Sequence, residues 1–115
     1  MKLYKWDETP EEKLNPFLTR KMIHGSTMTV ARIDLRKGGL VPTHSHSNEQ
    51  ITNVEQGALL FITPTERVVV RAGESLCIPP NLPHSAECLE DCLAIDIFSP
   101  VREDWIRGDD AYLRR

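Results

Sequence analysis

The most informative stretch of this sequence is residues 38–57, which read GGLVPTHSHSNEQITNVEQG. His44 and His46 stand two positions apart, and alternate side chains of an extended chain project from the same face. The same parity places Gln50 on that face and Glu49 on the opposite one. Two imidazoles and an amide oxygen are acceptable ligands for a divalent transition metal, but the set needs a fourth member.

Two other histidines are available as the fourth ligand. His24 precedes a glycine turn and has no polar neighbours. His84 follows the proline-framed loop PPNLP at residues 79–83, and prolines restrict the backbone freedom of such a loop. We therefore expect His84 to complete the ligand set. An isolated His-x-His pair is usually a surface feature. The pattern of glycines and prolines around this pair is what favours a metal site here.

The spacing of these residues resembles the two sequence motifs of the cupin superfamily. The first motif is a glycine, five residues, His-x-His, three or four residues, an acidic or amide ligand, six residues and a glycine; it is matched from Gly38 to Gly57. The second motif is matched from Gly73 to His84, with Asn81 where the family has a glycine and Cys88 where it has an asparagine. Asparagine tolerates the left-handed backbone conformation better than most residues.

The resemblance implies an all-β fold, namely a single-domain cupin built as a double-stranded β-helix or jelly-roll barrel with the metal inside its mouth. One domain then covers residues 1–115, with a short N-terminal arm at 1–25, a core at about 26–100 and a partly helical C-terminal tail at 101–115. The resemblance also implies a homodimer. A chain of this size gains from dimer burial, because alone it buries only ~65% of its unfolded surface.

The distribution of turn residues agrees with a barrel of short strands. Glycines and prolines separate seven candidate strands: Thr19–His24, Met28–Leu35, Gln50–Gln56, Ala58–Thr63, Arg67–Arg71, Ser75–Ile78 and Leu93–Phe98. A capping box beginning at Thr9 predicts about one helical turn near the N-terminus. A second short helix is expected near Arg102–Arg107 with Gly108 as its stop. The acidic pair Asp109 and Asp110 is expected to be solvated.

The predicted ligand set has a chemical consequence. Three neutral imidazoles and a neutral amide leave the charge of a divalent ion uncompensated, whereas the glutamate usual in cupins would reduce it. Such a site attracts carboxylates and favours Lewis-acid chemistry over iron redox chemistry. The identity of the ion stays open among zinc, nickel, manganese, copper and iron.

The segment DIFSPVREDW, residues 96–105, resembles the C-terminal end of small cupins of the pectin-degradation type, which open the ring of 4,5-unsaturated monouronates. In that group, as the resemblance implies, three histidines and a glutamine hold the metal. The resemblance implies that Asp96 is the catalytic general acid/base, that Arg102 binds the substrate carboxylate and that Phe98 packs on the sugar face. Thr52 stands where a longer polar substrate contact was expected.

Asp96 also has a structural interpretation. A carboxylate inside the apolar strand Leu93–Phe98 is costly unless it is paired or functional. Pairing with Arg32, with Arg102 or with a backbone amide would explain it equally well, because structural ion pairs also bury carboxylates. Both interpretations remain open at this point.

Two other functions remain open as well, a metal-dependent dioxygenase and a non-catalytic module that binds a small acid. The net charge of −3 provides no basic field for nucleic acid, and no run of eighteen apolar residues could span a membrane. The N-terminus lacks the apolar core of a signal peptide, and the odd count of three cysteines fits reduced thiols. We therefore expect a cytoplasmic domain whose partner is a small carboxylate or sugar acid.

Overall fold

The computed structural model describes residues 1–114; Arg115, the last residue of the predicted C-terminal tail, lies outside them. The strands are β1 (Glu12–Asn15), β2 (Leu18–His24), β3 (Thr29–Leu35), β4 (Leu40–His44), β5 (Glu49–Ile62), β6 (Arg67–Arg71), β7 (Ser75–Ile78) and β8 (His84–Ser99). They form one antiparallel sheet in the order β1-β2-β3-β8-β5-β6, with β4 paired to β8 and β7 paired to β5. This is the expected all-β jelly-roll architecture.

The two long strands β5 and β8 organise the barrel. β5 pairs with β6, β7 and β8, while β8 pairs with β3, β4 and β5. Their pairing shifts register between Val54 and Leu59, and Gly57 lies inside that shift with a φ of +81°. A side chain at Gly57 would overlap the backbone of Asp91. Gly57 therefore bends one continuous strand, whereas the sequence predicted two strands separated at this residue.

The sequence missed three strand segments, namely β1, β4 and the first half of β8. Residues 84–89 alternate between buried and less buried positions, but the buried ones include small side chains such as Ala86 and Cys88. Small and polar residues have weak strand propensity, so the pattern is faint. The prediction of a helix beginning at Thr9 was wrong: a 3₁₀ helix covers Trp6–Glu8, and β1 begins at Glu12.

Both ends of the chain join the body of the protein. β1 and β2, within the segment described as an N-terminal arm, continue the main sheet. The C-terminal tail contains helix α1 (Glu103–Ile106) and a 3₁₀ helix at Ala111–Leu113. Gly108, two residues after the end of α1, has a φ of +79°. Asp110 is buried instead of solvated, with 1% of its surface exposed.

An apolar core fills the barrel interior. Its larger members are Leu14, Leu18, Leu35, Leu59, Phe61, Phe98, Trp105 and Leu113. All three cysteines are free thiols. Among residues 1–114, no helix has both the length and the apolar character needed to cross a membrane.

Candidate metal centre

Three histidines converge at one end of the barrel. His44 ends β4, His46 lies in the following loop and His84 begins β8. β4 and β8 pair so that His44 stands directly opposite His84. One ring nitrogen from each histidine lies within 4.8 Å of the others. His24 is outside this cluster, and its Nδ1 lies 2.8 Å from the Thr29 hydroxyl oxygen.

Hydrogen bonds orient all three rings in the same way. Each Nδ1 lies 2.8–3.0 Å from the backbone carbonyl of a residue two positions away, which is Pro42 for His44, Asn48 for His46 and Leu82 for His84. A carbonyl only accepts, so each Nδ1 carries the hydrogen and each Nε2 of the neutral ring keeps a free lone pair. Burial lowers the pKa of all three rings, that of His44 to about 4. The rings are therefore neutral near pH 7, as metal binding requires.

Gln50 adds an oxygen atom to this group. Its side chain is buried, and its Nε2 donates to the Thr52 hydroxyl at 2.9 Å. The remaining Oε1 lies 3.1 Å from Nε2 of His46, so two acceptors face each other. A cation between them would turn this unfavourable contact into a favourable one. Neutral nitrogen and oxygen donors in this arrangement suit a divalent transition metal. Glu49 is exposed, as the parity of the strand predicted.

A cavity of about 70 Å³ adjoins these ligand atoms inside the barrel. Most of its wall is apolar. The polar part of the wall consists of His44, Gln50, His84, Asp96, Arg102 and Tyr112. A few convergent polar groups in an apolar pocket are typical of small-molecule sites.

Asp96 faces the interior from β8, directly opposite Thr52 on β5. Its Oδ1 is buried and has no hydrogen-bond partner within residues 1–114. Burial raises the pKa of the Asp96 carboxyl to about 6, against the opposing effects of the Thr52 hydroxyl and the Arg102 charge. No ion pair to Asp96 is present in the described chain, and Arg32 lies near Glu55 instead. The expected ion pairs with Arg32 and Arg102 are therefore both absent from residues 1–114, although Thr52 and the Arg102 charge do act on the Asp96 carboxyl.

Arg102 is buried and fixed on one side. Its Nε and Nη2 bond the two carboxylate oxygens of Asp104 at 3.0 and 2.8 Å. Its guanidinium carbon lies 4.6 Å from the ring centre of Phe98 and 4.0 Å from that of Trp105. Phe98 is 1% exposed and lies edge-on to the ring of His46. Arg102 is therefore part of the cavity wall and not the surface charge that a helix start would suggest.

The family follows from a comparison of the whole sequence. The family model Cupin_2, a cupin domain, matches residues 31–98, more than half of the chain. The chain belongs to the cupin family. No curated protein matches it.

Solved structures place this cupin among the small members of the family. KdgF from Halomonas sp. is 29% identical with a TM-score of 0.83, and the match covers 90% of this chain and 99% of KdgF. An RmlC-like cupin from Shewanella frigidimarina NCIMB 400 is also 29% identical, with a TM-score of 0.82 and coverage of 89% and 93%. Oxalate decarboxylase of Bacillus subtilis shares the fold at 16% identity and a TM-score of 0.77, over 84% of this chain and 29% of that one.

The structure thus brings the predicted residues of this cupin to one place, with one difference. The three histidines, Gln50, Asp96, Phe98 and Arg102 surround or adjoin the cavity. Thr52 is not part of the cavity wall. Its hydroxyl accepts from the Gln50 amide and lies beside Asp96, so it contacts these two side chains rather than the cavity.

Sequence reasoning missed one aromatic residue in the site of this cupin. Tyr112, from the C-terminal 3₁₀ helix, stacks on His44 with ring centres 4.7 Å apart and an interplanar angle of 30°. Its hydroxyl lies 3.1 Å from Arg102 Nη2 and 3.3 Å from Trp105 Nε1. The available sequence signal was an aromatic residue in a charged C-terminal tail.

Proposed function

We propose that this cupin binds one divalent transition metal through His44, His46, Gln50 and His84 and converts a small carboxylate-bearing sugar. The proposed reaction is ring opening and tautomerisation of a 4,5-unsaturated monouronate. One observation carries the proposal: four neutral ligand atoms converge beside an unpaired carboxyl, Asp96, whose pKa is raised to about 6. The resemblance to KdgF, a cupin of the pectin-degradation type, supports the substrate class.

The residues of the cavity have distinct roles in this proposal. A metal ion held here supplies Lewis-acid polarisation of a substrate oxygen. Asp96 exchanges its proton near neutral pH and therefore serves as general acid and base at its unpaired Oδ1. Arg102 binds the substrate carboxylate, and its fork on Asp104 presets the orientation of the guanidinium. Phe98 presents an apolar surface to the sugar ring.

Thr52 has a supporting role in this proposal. Because its hydroxyl holds the Nε2 of Gln50, the amide oxygen is directed towards the histidines. Ligand-orienting contacts of this kind typically change metal affinity 10–100-fold when they are removed, on the order of 1.4–2.7 kcal/mol. Thr52 was expected to contact the substrate, and in this proposal it instead orients Gln50, a metal ligand.

The decisive experiment combines metal analysis with a substrate screen. Protein purified without an affinity tag should contain about one equivalent of a transition metal, as expected for a single site of this donor set. We expect His84→Asn to lose this metal and His24→Asn, which changes a histidine outside the cluster, to keep it. Unsaturated uronates should lose the absorbance of their enol double bond with the wild-type protein. No turnover by metal-loaded protein across the uronate panel would overturn the proposal.

The same experiment separates the two other functions. A dioxygenase would consume dissolved oxygen during turnover and would require iron. A non-catalytic binding module would return its ligand unchanged after saturating binding. Two features favour the Lewis-acid reaction over both alternatives. The neutral ligand set leaves the charge of the metal uncompensated, and Asp96 provides a carboxyl for proton transfer in the adjoining cavity.

We also propose that the protein forms a homodimer and acts in the cytoplasm. A continuous apolar row crosses the outer face of the sheet: Ile23, Val30, Ile97, Ile51 and Cys77 are successive cross-strand partners. Ile51 and Ile97 are 38% and 37% exposed, which supports a second copy as the partner of this row. Ile97→Lys should produce monomers in sedimentation equilibrium, whereas Val69→Lys, off the row, should not. Three free thiols support a reducing compartment.

A further inference from the structure

We propose that the hydroxyl of Tyr112 and the Nη1 of Arg102 form a carboxylate-binding pair, so that the C-terminal tail completes the substrate site. This inference rests on the proposed function and deepens it, because it assigns a second donor for the substrate carboxylate. Tyr112 then touches the ligand itself. Neither the sequence motifs nor the family comparison assigns a role to this residue.

The hydrogen of the Tyr112 hydroxyl is unengaged. Both of its neighbours, Arg102 Nη2 and Trp105 Nε1, are obligate donors, so the tyrosine oxygen accepts from both of them. A phenolic oxygen that accepts two bonds still has its own hydrogen to donate. Within residues 1–114, no acceptor receives that hydrogen. Since Tyr112 forms part of the cavity wall, a ligand oxygen in the cavity can receive it.

Arg102 offers a second donor beside the first. Its Nε and Nη2 are engaged by Asp104, and Nη2 also bonds Tyr112. Its Nη1 has no hydrogen bond to any described residue. Two neighbouring donors of this kind match the two oxygens of one carboxylate, and a charged acceptor strengthens both bonds.

The tail holds Tyr112 rigidly in this position. Asp110 lies 2.7 Å from the buried guanidinium of Arg20, and the Asn15 amide donates to the carbonyl of Leu113 at 2.8 Å. The tyrosine ring rests on His44, a proposed metal ligand. A carboxylate bound by the pair therefore lies next to the metal centre without an ordering cost for the donors.

The test measures ligand binding instead of turnover. The probe is D-glucuronate, a sugar acid that lacks the unsaturated bond, with D-glucose as the uncharged sugar. Tyr112→Phe keeps the aromatic ring and removes the hydroxyl, and Tyr4→Phe is the control on an exposed tyrosine. By calorimetry on zinc-loaded protein we expect Tyr112→Phe to weaken D-glucuronate binding about tenfold, as for one lost bond to a charged group. Zinc affinity should change less than about twofold, because the ring stack remains.

A second variant guards against a merely structural effect. Asp110→Asn loosens the tail anchor and leaves every cavity residue unchanged. We expect it to weaken D-glucuronate binding as well, and the losses in the double variant should not add, because both changes act on the same contact. Wild-type affinity in Tyr112→Phe, or additive losses in the double variant, would overturn the inference.

The outcomes distinguish this inference from the proposed function. If the wild-type protein binds D-glucuronate through Tyr112 but leaves unsaturated uronates intact, the inference stands and the proposed reaction fails. If it binds D-glucuronate no better than D-glucose, the carboxylate pair is refuted even where turnover is observed.

Discussion

The Oε1 of Gln50 lies 3.1 Å from the Nε2 of His46, although both atoms accept hydrogen bonds. Each is held by a hydrogen bond on its far side, from Gln50 Nε2 to Thr52 and from His46 Nδ1 to the carbonyl of Asn48. Two lone pairs therefore point at the same space. A cation at the proposed metal site would satisfy both atoms.

Replacing the amide with a carboxylate tests this relationship. Gln50→Glu places a negative charge beside the three neutral histidines. We expect zinc to bind about tenfold more tightly, about 1.4 kcal/mol, because the charge of the ion is partly compensated. Turnover of an unsaturated uronate should fall, because a less positive site polarises oxygen more weakly. Competition with a zinc-binding dye measures the first effect; equal affinities in the two proteins would argue against a metal at Gln50.

Asp96 should couple stability to pH. Its folded-state pKa of about 6 lies above the usual aspartate value of ~4, so between these values the native state binds more protons than the unfolded state. The contribution of Asp96 to the stability of the metal-free protein therefore falls as pH rises from about 4 to about 6 and stays reduced above that range. The three histidines contribute with the opposite sign, because their pKa values are lowered in the folded state, so the effect of Asp96 is read from the difference between wild type and variant. Asp96→Asn should remove this fall and be more stable than wild type by about 2–3 kcal/mol at pH 7.

Urea unfolding of both proteins at pH 4 and pH 7 measures this difference, and similar stability at the acidic end is the internal control. The same variant should keep its metal and lose turnover by at least about 100-fold. Parallel pH profiles for wild type and variant would mean that the Asp96 carboxyl is ionised normally in the folded protein.

The Arg20–Asp110 pair should stabilise the tail. Both side chains are almost completely buried, and removal of Asp110 leaves the buried Arg20 guanidinium with the partly exposed Glu12 as its remaining ion-pair partner within residues 1–114. We expect Asp110→Ala to lower the free energy of unfolding by about 3 kcal/mol. The matched control is Asp109→Ala, next along the chain, whose side chain is 75% exposed and which should cost about 0–0.5 kcal/mol. Equal midpoints in urea for the two variants would contradict a buried anchor.

Two glycines of the motifs should differ sharply in their tolerance of a side chain. Gly57 and Gly73 both have positive φ angles, of 81° and 86°. A Cβ at Gly57 would overlap the Asp91 backbone, whereas a Cβ at Gly73 meets nothing within 4 Å. Gly73→Ala should therefore cost about 1–2 kcal/mol from backbone strain alone. Gly57→Ala should cost distinctly more, which thermal unfolding of the two variants would reveal; comparable losses would refute the close approach.

Several elements were predictable because their signals are local. Strands β6 and β7 begin and end at the predicted residues, and β2 and β3 do so within one residue. Asn81 adopts the left-handed conformation with a φ of +65°. These features depend on turn residues and on side-chain alternation. β4 and the first half of β8 lack such signals, and their strand structure comes from pairing with each other and with β5.

Motif spacing and the proline-framed loop before His84 identified His44, His46, Gln50 and His84 as candidate ligands. Strand parity does not explain their convergence, because β4 ends at His44, His46 lies in the following loop and Gln50 belongs to β5. Contacts across the fold settled the rest. Asp110 reaches Arg20 ninety positions away, and Tyr112 reaches His44 and Arg102. The local sequence of the C-terminal tail does not predict the contacts to Arg20 and His44, because these residues are far from the tail in sequence and become its neighbours only when the barrel has folded. The sequence alone therefore identified the proposed metal ligands and part of the cavity wall, whereas the place of Tyr112 in that wall is set by the tertiary structure.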